Sequence, residues 1–171
     1  PQIWCSDNTD AVERIKIQYG TSFAYPSCTV GSHVSAVPNH QTGRTTELAT
    51  RAAVAMAGSF GYELDLNLLT EEEKEQVREQ IKNYHRFEML IRQGRYYRLT
   101  DVWQKKEYAA WEYCRPDGSE ALVTVVTLNT QCNPATEYVK LRGLGEDKKY
   151  RVEVVGMQTG GENGQRINGT P

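Results

Sequence analysis

The spacing of apolar and polar residues changes character along the chain. Thr9 and Asp10 offer an N-cap and an acidic first turn, and Val12, Ile15 and Tyr19 follow at helical intervals until Gly20. Residues 29–38 read as a strand and residues 38–43 as a loop. Residues 47–57 are small or apolar on nearly every side, which suits a buried helix closed by Gly58. Phe60, Tyr62, Leu64 and Leu66 then alternate with Gly61, Glu63 and Asp65, the period of a strand. Thr70, with Glu73 three residues on, forms a capping box. The helix it opens carries Val77, Ile81, Tyr84, Phe87 and Ile91 on one stripe and stops at Gly94. Its charged first half is a solvated face, with Glu72–Gln76 and Glu75–Arg78 at pairing distance.

Helix and strand in alternation predict a parallel α/β arrangement, although so few units cannot close an α/β fold alone. Beyond Gly94 the pattern is one of strands and turns. Strands are expected at residues 108–113, 121–128, 138–141 and 150–155, with turns at residues 116–119 and 143–147. Four strands at short, regular spacing predict an antiparallel sandwich. The chain therefore divides into an α/β part, residues 1–94, and an all-β part, residues 95–171. From Thr159 onward the run T-G-G-E-N-G-Q-R-I-N-G-T-P is loop-like.

Composition narrows the function classes. The 171 residues are 39% hydrophobic and 25% charged, an ordinary globular balance with enough apolar surface for a core. Twenty basic residues against 22 acidic ones leave a net charge of −2, which gives no electrostatic reason to expect nucleic acid or an anionic membrane as partner. No apolar run approaches the ~20 residues of a bilayer span, and no signal-peptide pattern opens the chain. With Pro1 first and motifs dense from the outset, it reads as a piece of a longer protein. Cys5, Cys28, Cys114 and Cys132 form no C-x-x-C pair, and they and the three histidines have no zinc-ligand spacing. No metal site is expected, and reduced packing thiols are. A glycosylation sequon, Asn168-Gly169-Thr170, matters only in a secreted protein.

The most informative stretch is W-C-S-D-N-T-D, residues 4–10. It places Asp7 beside Trp4 on a loop that follows a possible strand end and precedes a helix. In an α/β barrel that is the C-terminal face, where catalytic groups gather. The same string is also rich in capping and turn residues, so pattern alone favours a structural role for these carboxylates, and for Asp10 more than for Asp7. Cys5 is either a neighbour of the site or a packing thiol. His33, His40 and Arg44 surround a second loop that would open on the same face, or serve there as loop structure. Tyr96, Tyr97, Trp103, Trp111 and Tyr113 could stack on sugars, but their strand spacing fits a core.

W-C-S-D-N-T-D-A-V-E-R-I-K-I-Q-Y-G (residues 4–20) and G-S-H-V-S-A-V-P-N-H-Q-T-G-R (residues 31–44) resemble the family 36 glycoside hydrolases, the bacterial-type α-galactosidases. The likeness continues through A-M-A-G-S-F-G-Y-E-L-D-L and E-E-E-K-E-Q-V-R-E-Q-I-K, and more loosely through L-R-G-L-G-E-D-K-K-Y-R-V, so it covers most of the chain. It implies that residues 1–94 are the last units of a (β/α)8 TIM barrel and residues 95–171 a C-terminal antiparallel β-sandwich, possibly cut short. The implied activity is hydrolysis of terminal α-galactosides such as melibiose and raffinose with retention of configuration, which needs two carboxylates ~5–5.5 Å apart. Asp7 matches the family's acid/base, which must carry a proton at working pH, and Trp4 is its apolar neighbour; Trp4 and Cys5 become candidate substrate contacts.

Two family features do not occur in this sequence: the K-W-D-x-N-R motif of the nucleophile and the Cys/Gly-rich galactose-binding motif. Asp10 is a poor substitute for the missing nucleophile, since three residues from Asp7 and entering a helix it would not face a sugar from the opposite side. No cofactor is implied. The implied partner is an α-galactoside oligosaccharide, with a homo-oligomer for the full-length protein and the cytoplasm as location. The readings that compete with a hydrolase are a carbohydrate-binding or subunit-interaction module without catalysis, an α-N-acetylgalactosaminidase, and a galactosyl transferase.

Overall fold

The computed structural model describes residues 2–155 apart from Gln131 and Pro134; the run from Thr159 and the Asn168 sequon lie outside the described residues. Its first half alternates helix and strand: α1 (Ala11–Thr21), β1 (Gly31–Ser35), α2 (Leu48–Ala55), β2 (Ser59–Glu63) and α3 (Glu71–Gln93). β1 and β2 run parallel, with Gly31 beside Ser59 and Ser35 beside Glu63. Ile3 adds a third parallel segment on the other side of β1: its N–H donates to Thr29 O at 2.8 Å, and its carbonyl accepts from the Gly31 N–H at 2.9 Å. Three parallel segments joined through two helices is the expected α/β order.

The strands are shorter than their apolar patterns. β1 is bounded by a 3-10 turn at Ser27–Thr29 and by Pro38, which has no N–H to give a ladder. β2 ends at Glu63 because Asp65 caps the 3-10 turn Leu66–Leu68, accepting from Asn67 N at 2.9 Å. Alternation then sorts the side chains. Val34 packs with Leu48, Ala52, Ala55 and Val77 under α2 and α3, so Gly31, His33 and Ser35 lie on the other face of β1. The helix-to-strand approach needs Gly58, where a Cβ would strike the Val30 carbonyl oxygen.

α3 begins with both halves of its capping box: Glu73 N–H donates to Thr70 Oγ1 at 3.2 Å and Thr70 N–H to Glu73 Oε2 at 2.9 Å. Thr70→Ala is expected to cost about 1 kcal/mol, read as a fall in the denaturant midpoint at unchanged slope. The buried stripe differs from the expected one at Ile81, which is 39% exposed, while Gln80 is buried and accepts a hydrogen bond from Tyr62 Oη at 2.8 Å. Asn83 and Leu90 are buried too, so the core-facing arc is centred near Phe87 and leaves Ile81 roughly 120° from its middle. Lys74–Glu71, Arg78–Glu75 and Lys82–Glu79 pair along the solvated face.

The second half is an antiparallel sheet of β3 (Arg95–Arg98), β4 (Tyr108–Cys114) and β5 (Ala121–Thr127), with β4 in the middle. Ala109, Trp111 and Tyr113 of β4 share one core with Ile15, Val54, Ala57, Phe87 and Ile91 of the α/β half. Tyr113 Oη donates to the Ala57 carbonyl at 2.6 Å. Thus Trp111 and Tyr113 are core, as is Tyr96 against Tyr113 at 5.1 Å, whereas Trp103 is 55% exposed and edge-on to Tyr19.

Two expectations are corrected. Residues 95–98 form a strand that the sequence pattern did not suggest, and residues 138–141 and 150–155, expected as strands, carry no ladder. Polar groups in or next to them meet side chains instead: the N–H of Arg142, just past the first segment, donates to Glu112 Oε2 at 2.7 Å, Tyr108 Oη donates to the Tyr138 carbonyl at 3.3 Å, and Arg86 grips Glu153 through two bonds. Glu112 lies wholly buried in β4, and burial pushes its carboxyl above the usual range against the opposing Arg142 hydrogen bond.

Candidate active site

The loop between Ile3 and α1 is built from its own short polar side chains. Ser6 Oγ accepts from Asn8 N–H at 3.0 Å and Asn8 Oδ1 from Asp10 N–H at 2.9 Å, two local turns in succession. Asp10 then caps α1, its Oδ1 accepting from Val12 and Glu13 N–H at 3.0 Å each. The same oxygen receives Arg44 Nη1, and Oδ2 receives the Thr42 hydroxyl at 3.1 Å. Asp10 is buried and engaged on both oxygens, which explains Arg44 as loop structure and leaves Asp10 no free oxygen for a substrate.

Asp7 is the opposite case. It is exposed, four residues past Ile3 at the C-terminal end of the parallel segments, and Trp4 Nε1 donates to its Oδ1 at 2.7 Å. Among the described residues Oδ2 has no hydrogen-bond partner. The contact from Trp4 comes through the polar edge of the indole rather than its face, so one carboxyl oxygen is fixed in direction while the other is open.

The indole ring, 57% exposed, lies on His33 with ring centres 4.7 Å apart. His33 Nδ1 is 3.6 Å from Glu63 Oε2, an ionic contact longer than a hydrogen bond. Burial holds the imidazole below its ordinary value, Glu63 opposes this, and the Arg14 charge adds to it. Trp4, Asp7, His33 and Glu63 are therefore contiguous across three parallel segments. Glu63 had been only a polar position of a strand; its meaning comes from the parallel register that ends on it. His40 is exposed and borders a cleft of about 100 Å³ with Thr9, Ser35, Ala36, Pro38 and Glu63. Cys5 is half-buried with a free thiol, as are the other three cysteines free.

Beneath the loop lies a residue that sequence pattern did not single out. Arg14, on α1 and buried, donates from Nη2 to the Gly31 carbonyl at 2.6 Å, from Nε to Gln18 Oε1 at 3.2 Å and from Nη1 to the Ser6 carbonyl at 3.5 Å. An Arg one turn after a cap, in a helix with few apolar residues, was the available signal. Among the described residues no group of three or more His, Cys, Asp or Glu side chains could hold a metal ion, and no helix is long and apolar enough to cross a membrane.

Comparison with known proteins decides the family. The melibiase family model matches residues 1–94, and the model of the glycosyl hydrolase family 36 C-terminal domain matches residues 108–169. The chain belongs to the melibiase family. Among characterised melibiase relatives it is 56% identical, over 94% of its length, to the bifunctional α-galactosidase/sucrose kinase AgaSK of Mediterraneibacter gnavus, and 48% identical, over 95%, to the α-galactosidase AgaA of Geobacillus stearothermophilus. It spans 17% and 22% of those proteins. The galactosidase domain of AgaSK superimposes with a TM-score of 0.82 at 59% identity, over 85% of this chain and 20% of that one. An AgaA variant in complex with 1-deoxygalactonojirimycin superimposes with a TM-score of 0.83 at 48% identity, over 86% of this chain and 20% of the other.

Proposed function

We propose that this chain supplies the general acid/base, Asp7, of a retaining α-galactosidase that cleaves melibiose- and raffinose-type substrates. The observation that carries the reading is the asymmetry of the two loop carboxylates. Asp10 is consumed by the fold, whereas Asp7 presents an open oxygen at the C-terminal end of parallel strands, where barrel enzymes do their chemistry. The names of the relatives agree with that activity.

In the first step Asp7 gives its proton to the glycosidic oxygen as the bond to the anomeric carbon breaks. A carboxylate outside this sequence, in the K-W-D-x-N-R motif expected upstream, forms the new bond to that carbon. In the second step the Asp7 carboxylate takes a proton from water, whose oxygen attacks the anomeric carbon and releases the nucleophile, so Asp7 ends protonated as it began. The order of strand, helix and strand in residues 1–94 fits the closing units of a (β/α)8 barrel, and the sheet within residues 95–171 fits part of a C-terminal sandwich. Trp4 and Cys5 border the position a substrate would take.

Azide tests the assignment. The natural-length protein with Asp7→Asn should turn over an aryl α-galactoside slowly, speed up when azide is added, and release α-galactosyl azide, because azide needs no base to attack the glycosyl-enzyme. Wild-type activity in Asp7→Asn would overturn it. The 171-residue chain alone should show no turnover of the same substrate, since it lacks the expected nucleophile motif; measurable hydrolysis by it would mean that a carboxylate within the chain serves as nucleophile.

A further inference from the structure

We infer that His33 is a positioning residue for Asp7, acting through the indole of Trp4; the inference rests on the reading of Asp7 as acid/base. Asp7 Oδ1 is directed by the Trp4 N–H at 2.7 Å, so the direction of the open oxygen depends on where the indole lies. The indole is 57% exposed and cannot be held by burial. What lies against its ring is the imidazole of His33, at 4.7 Å between centres and 37° between planes. His33 is a suitable backing because its backbone is the middle residue of β1, paired on the parallel ladder opposite Gly61. Glu63, the last residue of β2, faces its Nδ1 at 3.6 Å. The contacts run from a strand end to the acid: Glu63 to His33, His33 to Trp4, Trp4 to Asp7.

A proton donor is sensitive to this kind of support. Misplacement of a reacting group by about 1 Å can cost ~10²-fold in rate, and general acid catalysis as a whole contributes ~10²–10⁴-fold. Loss of the backing should therefore take part of the acid contribution and nothing else. The acid matters for a poor leaving group and little for a good one, so kcat/KM, which reports the first bond cleavage, separates a positioning role from a merely structural one.

The experiment uses the natural-length protein with raffinose and 2,4-dinitrophenyl α-galactoside. His33→Ala is expected to lower kcat/KM about 10-fold on raffinose and less than about 2-fold on the dinitrophenyl substrate, and His33→Phe, which restores a ring under the indole, to recover most of the raffinose loss. Equal losses on both substrates, no loss on either, or a His33→Phe protein as selective against raffinose as His33→Ala would overturn the inference. If His33→Ala does not fold, His33→Leu carries the test: it fills the space under the indole without offering a planar ring, and should show the selective raffinose loss, while a uniform loss or none overturns the link. Asp7→Asn run in parallel separates the two readings. If it fails to discriminate against raffinose, the acid/base assignment falls; if it discriminates and the His33 variants do not, only the positioning role falls.

Discussion

Asp7→Asn in the natural-length protein is expected to lower kcat/KM for raffinose by about 10²–10⁴-fold while leaving that for a dinitrophenyl α-galactoside near wild type. The division follows from the role proposed for the side chain in the first step. A sugar alcohol leaves poorly unless its oxygen gains a proton as the bond breaks, whereas a dinitrophenolate leaves as the anion. Asparagine keeps the shape of the carboxyl and can still accept from Trp4 Nε1, so the loop should stand as it does with Asp7. The turnover number on the aryl substrate should nevertheless fall, because the second step has lost its base and the glycosyl-enzyme accumulates. A rapid burst of dinitrophenolate followed by a slow steady rate is the expected trace. An equal fall in kcat/KM on both substrates would place Asp7 in binding or folding instead.

The local string already favours Asp10 over Asp7 as a cap, but how fully Asp10 is engaged could not be read from it, since both carboxylates sit among turn and capping residues. Asp10 is fully engaged only through partners at a distance. Arg44, 34 residues beyond Asp10, occupies the same oxygen that caps α1, and Thr42 takes the other. Local chemistry was otherwise a good guide where an element is set by neighbours in sequence. The Thr70–Glu73 box and the stop at Gly94 are examples, the latter because a Cβ at Gly94 would meet the Leu90 carbonyl oxygen.

The expectations that failed depend on partners that no periodicity encodes. Residues 138–141 and 150–155 carry strand-forming side chains, but a strand exists only on a free edge in register, and here the Tyr138 carbonyl and the Glu153 carboxylate are claimed singly by Tyr108 and Arg86, with Glu112 holding the N–H of the adjoining Arg142. β3 has the reverse history: four residues are too few to show a period, yet pairing with β4 makes them a strand. His33 and Glu63 are likewise joined by the parallel ladder, one residue from the middle of β1 and one from the end of β2.

Arg14→Met is expected to destabilise the natural-length protein by about 3 kcal/mol, and to move a property of the site as well. Methionine can fill the space, so the cost is polar. The Gly31 carbonyl, paired to Nη2 at 2.6 Å, and the more distant Ser6 carbonyl lose a donor inside the protein. A buried acceptor left without a partner costs about 1–3 kcal/mol. Gln18 is spared the full loss because Ser32 Oγ still donates to its Oε1 at 3.0 Å, and its own amide still reaches the Val54 carbonyl at 3.1 Å. The second effect has a definite sign. Arg14's charge is one of the causes that depress the His33 imidazole, so its removal favours the protonated ring and should raise the His33 titration midpoint. His33 binds its proton less readily folded than unfolded, so it stabilises the fold above its ordinary value and withdraws that support as pH falls through it. Arg14→Met should weaken that dependence. Denaturant midpoints across the acid limb, with the imidazole followed by NMR, read both effects. A stability loss under about 1 kcal/mol, or a lowered His33 midpoint, would show that Arg14 neither holds the loop nor governs the imidazole beside it.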